Sequence, residues 1–275
     1  MTLVWRPGFA YDTDASAYID AVEAADEIAS PGIGALETAT RYAINDFVIG
    51  CKQDGIWTAI KASCILAGAR TLAGALQPLV GTAPTNNGFI GIGTDYVRKT
   101  GLVGNGSTKY LNSNRNNNAD PQDNRHASVY VSVAPTATAF RTYISAGGGT
   151  TAGGTIIQIG SSAISGSSVN HLISKSSGSI NALTGIDNQS VSIGLKGVSR
   201  NTSASHTLRS GNNNFTVNDI SASPFSGIVN VYATSSPSAL IDARLAFYSI
   251  GESLDLARLD ARVTDLINAF AVAIP

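Results

Sequence analysis

The chain has 275 residues, 43% of them apolar and only 13% charged, with a formal net charge of −1. That apolar content can bury a core in one large domain or two small ones, and so small a charge excludes a long-range field pulling the whole chain onto nucleic acid or an anionic membrane. No run of about 18 apolar residues occurs and no basic flank leads into an apolar stretch at the N-terminus, so neither membrane insertion nor a signal peptide is expected.

Apolar residues first recur at helical spacing. Tyr18, Val22, Ala25 and Ile28 follow the candidate cap Asp14, and Leu36, Ala39, Ala43, Phe47 and Cys51 follow the breaker Pro31-Gly32, which predicts two short helices. A third helix is expected after Gly55, with Ile56, Ile60, Cys64 and Ala67 on one side, ending in the glycine-containing stretch 68–81. Cys51 and Cys64 lie in these apolar stretches and read as small buried hydrophobes rather than a disulfide framework or metal clip.

From about Gly81 to Gly251 the pattern changes to short β-branched, alternating runs at 127–133, 155–159, 191–195, 227–232 and 243–248, separated by Gly, Ser, Asn and Pro clusters. Repeated short strands with turn chemistry between them predict a sandwich or jelly roll, although spacing alone leaves the strand order open. After Gly251 the helical period returns: Ser253 is a candidate cap, Asp255 sits in the first turn, and Leu256, Leu259, Val263, Leu266 and Phe270 form a stripe. That stripe must bury, either on the protein's own sandwich and helices or in a self-association seam. The expected organisation is a helical segment at 1–80, a β-sandwich at 81–252 and a C-terminal helix packed on the rest at 253–275.

Several phrases carry a family resemblance. Residues 43–62, from Ala43-Ile44-Asn45-Asp46-Phe47 to Trp57-Thr58-Ala59-Ile60-Lys61-Ala62, resemble the helical N-terminal module of phage-encoded structural proteins. Gly104-Asn105-Gly106-Ser107-Thr108-Lys109-Tyr110-Leu111 is similar to an early strand of concanavalin A-like lectin/glucanase (laminin-G-like) domains. The stretch from Gly197-Val198-Ser199-Arg200 to Leu208-Arg209-Ser210-Gly211 is similar to their middle, and 242–251 followed by Glu252-Ser253-Leu254-Asp255 to their closing strand and short helix.

The resemblance implies a mainly β, two-sheet jelly roll whose concave face or rim loops bind carbohydrate, placed on a tailed phage's fibre, baseplate or capsid surface. It further implies a non-enzymatic virion protein, most simply a tail-fibre or host-contact component. The expected partners are other virion proteins, host surface polysaccharide and further copies of the chain, a trimer ahead of a dimer. A capsid decoration protein and a polysaccharide depolymerase are the alternatives.

Catalytic patterns are sparse. Glycoside hydrolysis uses two carboxylates about 5 to 10 Å apart, and the glucanase branch of the resembled fold places close glutamates on one strand. Here no glutamate lies between Glu37 and Glu252, and Asp95, Asp120, Asp123, Asp187, Asp219 and Asp242 form no alternating pair on a strand-like run. His126, His171 and His206 accompany no nucleophile elbow. No His/Cys cluster or calcium-loop pattern appears, so no cofactor is expected, a single structural Ca²⁺ being left open. Gly91-Ile92-Gly93 and Gly147-Gly148-Gly149 precede no helix pattern and predict no phosphate cradle.

Two segments suit sugar hydroxyls, because an amide both donates and accepts hydrogen bonds. The first is 112–120, with Asn114, Arg115, Asn116, Asn118 and Asp120 as candidate ligand contacts, or else a solvated turn-rich loop. The second, 210–215, reads more simply as a hairpin connection. Trp5 and Trp57 both precede the sandwich, so stacking against a sugar ring falls to Tyr143, Tyr96, Tyr110 or Phe140, each of which could equally be core. Residues 82–250 carry eleven Lys plus Arg against six Asp, which would either attract an acidic polysaccharide or guard strand edges.

Overall fold

The computed structural model describes residues 10–91, 93–136, 140–148, 151–160, 171–178, 184–187 and 192–275, without the side chains of 171, 173 and 184–187. Trp5, Ile92, Gly149 and Val191, and the side chains of His171 and Asp187, therefore lie outside the described residues.

Helices α1 (Thr13–Ala29) and α2 (Thr38–Gln53) come first, followed by a 3-10 turn at Trp57–Ala59, strand β1 (Ile60–Ile65) and the short helix α3 (Leu72–Ala75). Strands β2 (Thr85–Asn87), β3 (Tyr96–Val97), β4 (Gly101–Val103) and β5 (Tyr110–Asn116) lead through a second 3-10 turn, Asn117–Ala119, to β6 (Arg125–Val133) and β7 (Arg141–Ala146). Then come β8 (Gly154–Gly160), β9 (His171–Gly178), β10 (Thr184–Asp187), β11 (Gly194–Arg200), β12 (Ser205–Ser210), β13 (Asn213–Asn218), β14 (Ile228–Val231) and β15 (Arg244–Gly251). Helix α4 (Leu256–Ala273) ends the chain.

The strands form two antiparallel sheets, ordered β13-β12-β11-β6-β15-β4-β3 and β10-β9-β8-β7-β14-β5-β2. In the first, β15 is bordered by β6 on one side and by β1 and β4 on the other. Neighbours far apart in sequence, such as β6 with β15 and β5 with β14, give the mainly β, jelly-roll sandwich expected from the strand pattern.

Helices cover the first sheet's outer face. Adjacent residues of a strand point to opposite faces. On β11, Lys196 reaches the second sheet, with its Nζ 5.6 Å from the Tyr143 ring centroid, whereas an added Cβ on Gly197 would meet Leu256 of α4 at 2.7 Å. Gly197 thus lets α4 settle on the sheet. The stripe Leu256, Leu259, Val263, Leu266 and Phe270 is buried, and Arg209 of β12 holds Asp260 at 2.7 Å. Phe47 of α2 meets Phe247 of β15 edge-on, with centroids 5.7 Å apart. The C-terminal stripe therefore buries within the chain. Its cap is Asp255, which accepts from Ala257 N and Arg258 N, rather than the expected Ser253.

The expected third helix is a strand. Ile56, Ile60 and Cys64 stand four residues apart, and that spacing keeps side chains on one face of a strand as well as of a helix. Because β1 is buried on both faces, its apolar run lacks the alternation that separates the two cases. The range 1–80 accordingly contributes a strand to the sandwich. Helix α1 is placed as expected but turned: Ala15, Tyr18, Ile19 and Val22 are inside and Ile28 is 83% exposed. Asp26 takes an inner position, accepting from Arg70 N, Thr71 N and Thr71 Oγ1 at 2.7–2.8 Å. Cys51 and Cys64 are free and buried, and burial pushes both thiols up to about 12.

Most of 112–120 is not loop. Residues 110–116 form β5, and the 3-10 turn that follows carries Asn117 into the interior. Its Nδ2 donates to Gly153 O and Phe225 O, each at 3.0 Å, and its Oδ1 accepts from Arg125 Nη1 at 3.0 Å and Thr155 Oγ1 at 2.7 Å. A buried donor or acceptor left without its partner costs about 1–3 kcal/mol, so Asn117→Ala should lower unfolding free energy by about 3 kcal/mol in urea titration. The exposed neighbour Asn118→Ala should stay within about 0.5 kcal/mol of the parent.

Two buried imidazoles make stability depend on pH. The Glu252 carbonyl, 2.6 Å from His126 Nδ1, can only accept, so Nδ1 carries the proton and Nε2 accepts from Ser249 Oγ at 2.8 Å. Burial lowers His126 to about 4; burial and then the Arg200 charge lower His206 to about 3. Both fall below the unfolded value near 6.5. Their contribution is complete above pH ~6.5 and is lost as pH falls toward the folded values. Linkage gives about 2 kcal/mol for each at pH 5. Unfolding free energies measured at pH 7 and pH 5 should differ in that direction; a flat profile would refute the neutral assignment.

Candidate functional site

A surface groove lies where the outer face of the first sheet runs past the start of α4. Cross-strand register sets Ser199 of β11 opposite Thr207 of β12, and Thr207 opposite Thr216 of β13. Ser199 and Thr207 form a hydroxyl floor. Asn201, just after β11, and Asn214 of β13 line the same hollow, and the residues leading into α4, Ser253 to Leu256, line it from the helix side. The groove holds about 430 Å³.

Local bonds set the helix-side wall. Ser199 Oγ donates to Leu254 O at 2.8 Å and accepts from Leu254 N at 3.1 Å. Ser253 binds Asn124 Oδ1 through both its N–H, at 2.9 Å, and its hydroxyl, at 2.6 Å. Asp255 is the one carboxylate among the lining residues, and its Oδ1 is engaged in capping α4. Asn214 Oδ1 accepts from Arg209 Nη1 at 3.0 Å, which aims the amide nitrogen away from the arginine. The side chains of Asn201 and Thr207 are not spent on any described residue. The groove therefore presents hydroxyl and amide groups beside the partly exposed Leu254.

Of the two polar segments singled out in the sequence, 210–215 brings Asn214 to the groove, whereas the candidate contacts of 112–120 and Tyr143 do not line it. Asp120 is buried and bound by Arg115 through Nε at 3.0 Å and Nη2 at 2.5 Å, so these two satisfy each other. Asn116 Oδ1 accepts from Asn118 N and Gly227 N, while Asn114, at φ +56°, donates to Ala83 O at 2.8 Å. Only the Asn118 side chain, exposed and without a bond to a described residue, remains as read from the sequence. Tyr143 is fully buried beneath Lys196, and Tyr96 is buried with its hydroxyl donating to Ala69 O at 2.7 Å, so neither ring can stack on a sugar. Phe140 is 54% exposed. The segment 210–215 is the β12–β13 hairpin, turning at Gly211-Asn212 with φ +54° and +62°, as its composition indicated.

Sequence reasoning named Asn214 within 210–215 but missed Ser199, Asn201, Thr207 and the residues before α4 as its neighbours. Hydroxyls and amides are common turn and strand residues, and only the sheet register and the seating of α4 bring these together. It also passed over Trp57, whose Nε1 donates to Asp14 Oδ2 at 3.1 Å beside a second cleft of about 350 Å³ containing Tyr18, Pro78 and Leu79. The positive surplus of the sandwich is mostly internal. Arg125, Lys175, Lys196, Arg200 and Arg209 are buried, and Arg98, Lys109 and Arg115 pair with Glu37, Asp95 and Asp120. Burial alone brings the Lys196 ammonium down to about 7. Among the described residues no group of three or more His, Cys, Asp or Glu side chains comes together to hold a metal ion.

No family model matches the chain, and no curated protein matches it. Among solved structures it is similar to domain 4 of AbnA, a GH43 extracellular arabinanase from Geobacillus stearothermophilus in complex with arabinotriose, at 14% identity over 68% of this chain and 82% of that one, with a TM-score of 0.39. The Botulinum neurotoxin serotype D binding domain is 9% identical over 75% of this chain and 50% of its own, with a TM-score of 0.47. The CBM40 of the Ruminococcus gnavus IT-sialidase is 10% identical over 55% of this chain and 83% of its own, with a TM-score of 0.34. Likeness of this size carries no ligand or activity to the chain, whose fold rests on its own sheet order and register.

Proposed function

We propose that this protein is a non-catalytic glycan-binding module and that saccharide occupies the groove between β11–β13 and the start of α4. The observation that carries the reading is the groove's composition: about 430 Å³ lined by Ser199, Asn201, Thr207 and Asn214, with the partly exposed Leu254 beside them. Sugar hydroxyls both donate and accept, as the Thr207 hydroxyl and the Asn201 amide do, and the partly exposed Leu254 offers an apolar surface to the C–H side of a ring. A lone carboxylate committed to a helix cap supports binding without hydrolysis, which needs a second acid or base. Because most sandwich cations are buried or paired, a neutral saccharide fits better than an acidic one.

The resemblance to phage structural proteins supplies the setting we propose: a virion component, in a tail fibre or another host-contact position, with the groove facing host surface polysaccharide and the helical layer free to meet a neighbouring virion protein. A capsid decoration protein would share the sandwich but bind no glycan.

Glycan arrays and retention on whole cells test this. Asn201→Ala and Thr207→Ala each remove one hydrogen-bonding group, and at about 1 kcal/mol per bond each should weaken binding about five- to tenfold, while Asn118→Ala should leave it unchanged. Bound glycan should be recovered intact. Retention of no saccharide, or groove variants that bind like the parent, would overturn the assignment, and released oligosaccharide would replace it with depolymerase activity.

A further inference from the structure

Strand β13 ends the first sheet, and its far side has no strand paired to it among the described residues. In the β12–β13 hairpin the pair next to the two-residue turn is Ser210 with Asn213. That pair exchanges both of its backbone hydrogen bonds, and so does every second pair after it. Asn213, Phe215 and Val217 thus spend their N–H and C=O groups on β12, whereas Asn214, Thr216 and Asn218 direct theirs outward.

Natural edges are shielded by shortness, charge, proline or a bulge. Here the six residues Asn213 to Asn218 contain no charge and no proline, and their pairing with β12 runs without a register shift. The other sheet ends are shorter: β3 has two residues, β2 three and β10 four. Phe215 is only partly buried at the margin of the core, and Ile220, just beyond the strand, is 71% exposed.

We propose that β13 pairs with β13 of a second copy of this chain, antiparallel about a two-fold axis at Thr216, joining two first sheets into one. In this register Thr216 faces Thr216 of the partner subunit, Asn214 faces Asn218 of the partner subunit, and each outward N–H meets an outward C=O. On the inner face Phe215 comes opposite Val217 of the partner subunit, which buries the exposed edge of its ring. A slip by one residue would set polar against apolar side chains, and a slip by two would leave Asn218 or Asn214 without a partner within the strand, so this register is the one that engages all three outward residues. The occupant is a second copy because the edge is complementary to itself, as an isologous contact requires. The axis stands perpendicular to the sheet, so the grooves that Asn214 lines would open on the same side of the dimer, a bivalent arrangement toward any repeating surface polymer. The pairing itself is independent of what the groove binds.

Sedimentation of the full chain over a range of concentrations tests the proposal. The parent should reach a dimer. Thr216→Lys sets two ammonium groups against each other at the axis and should give a folded monomer that melts at the temperature the parent approaches on dilution, since Thr216 is exposed in the single chain. Thr216→Cys, spin-labelled, should show strong dipolar broadening, because backbones of facing residues in such a pair lie about 5.5 Å apart; native Cys51 and Cys64 are buried and escape labelling. A parent that stays monomeric or forms a trimer, a Thr216→Lys variant that still dimerises, or a dimer without label coupling would overturn it.

Discussion

Strand β15 is buried from Leu245 to Gly251 on both of its faces and paired on both of its edges. Phe247 turns to α2, while Tyr248 lies in the cross-strand row of Val129 and Lys196 and shares their inward face. A sheet of this kind must have cover on either side. The second sheet supplies one cover and helices α2 and α4 the other, which is why the helical segments at the two ends of the chain converge on one surface. The seating of α4 over Gly197 then forms the groove wall, so the candidate site is a by-product of how the first sheet is roofed.

The interior of the sandwich is more polar than its apolar content suggests. Arg200 is fully buried; its guanidinium donates to Ser176 O across the gap between the sheets and to Asp219 O at 2.8 Å, and Asp219 Oδ2 lies 3.3 Å away. Arg125 is similarly enclosed by Asn117, Pro121 O and Asp120 O, and burial brings it down to about 10. Buried charges of this sort add little net stability over apolar replacements. Sliding one sheet along the other would leave the Arg200 guanidinium without its carbonyls, at a cost of several kcal/mol.

This division of polarity bears on function. Most of the cations that the sequence left open as an attracting face or as guards of strand edges are buried or paired, and the amide-rich segment around Asn117 is spent on corner-building. The groove outside is lined by hydroxyls and amides with the single carboxylate of Asp255, and a neutral edge strand lies beside it. Asn214 belongs to both, so recognition and self-association, as proposed, act through the same hairpin.

Local pattern was sufficient where a helix keeps one face in solvent, where a short β-branched or alternating run is bounded by turn residues, and where a turn has distinctive chemistry. Both N-terminal helices, the C-terminal stripe, the strands at 127–133, 155–159, 227–232 and 243–248, and the Gly211-Asn212 turn follow from periodicity and from residues that tolerate positive φ. It misread β1, where burial on both sides erased the alternation, and 112–120, where strand β5 and the turn after it bury Ser113, Asn117 and Asp120. The candidate site depended on tertiary structure altogether. Ser199, Thr207 and Asn214 are separated along the chain and become neighbours only through the register of three strands, and Leu254 joins them only because α4 folds back onto β11. Composition and period report what a segment does against a single partner; which segments become partners is decided by long-range pairing and by the burial that rewards it.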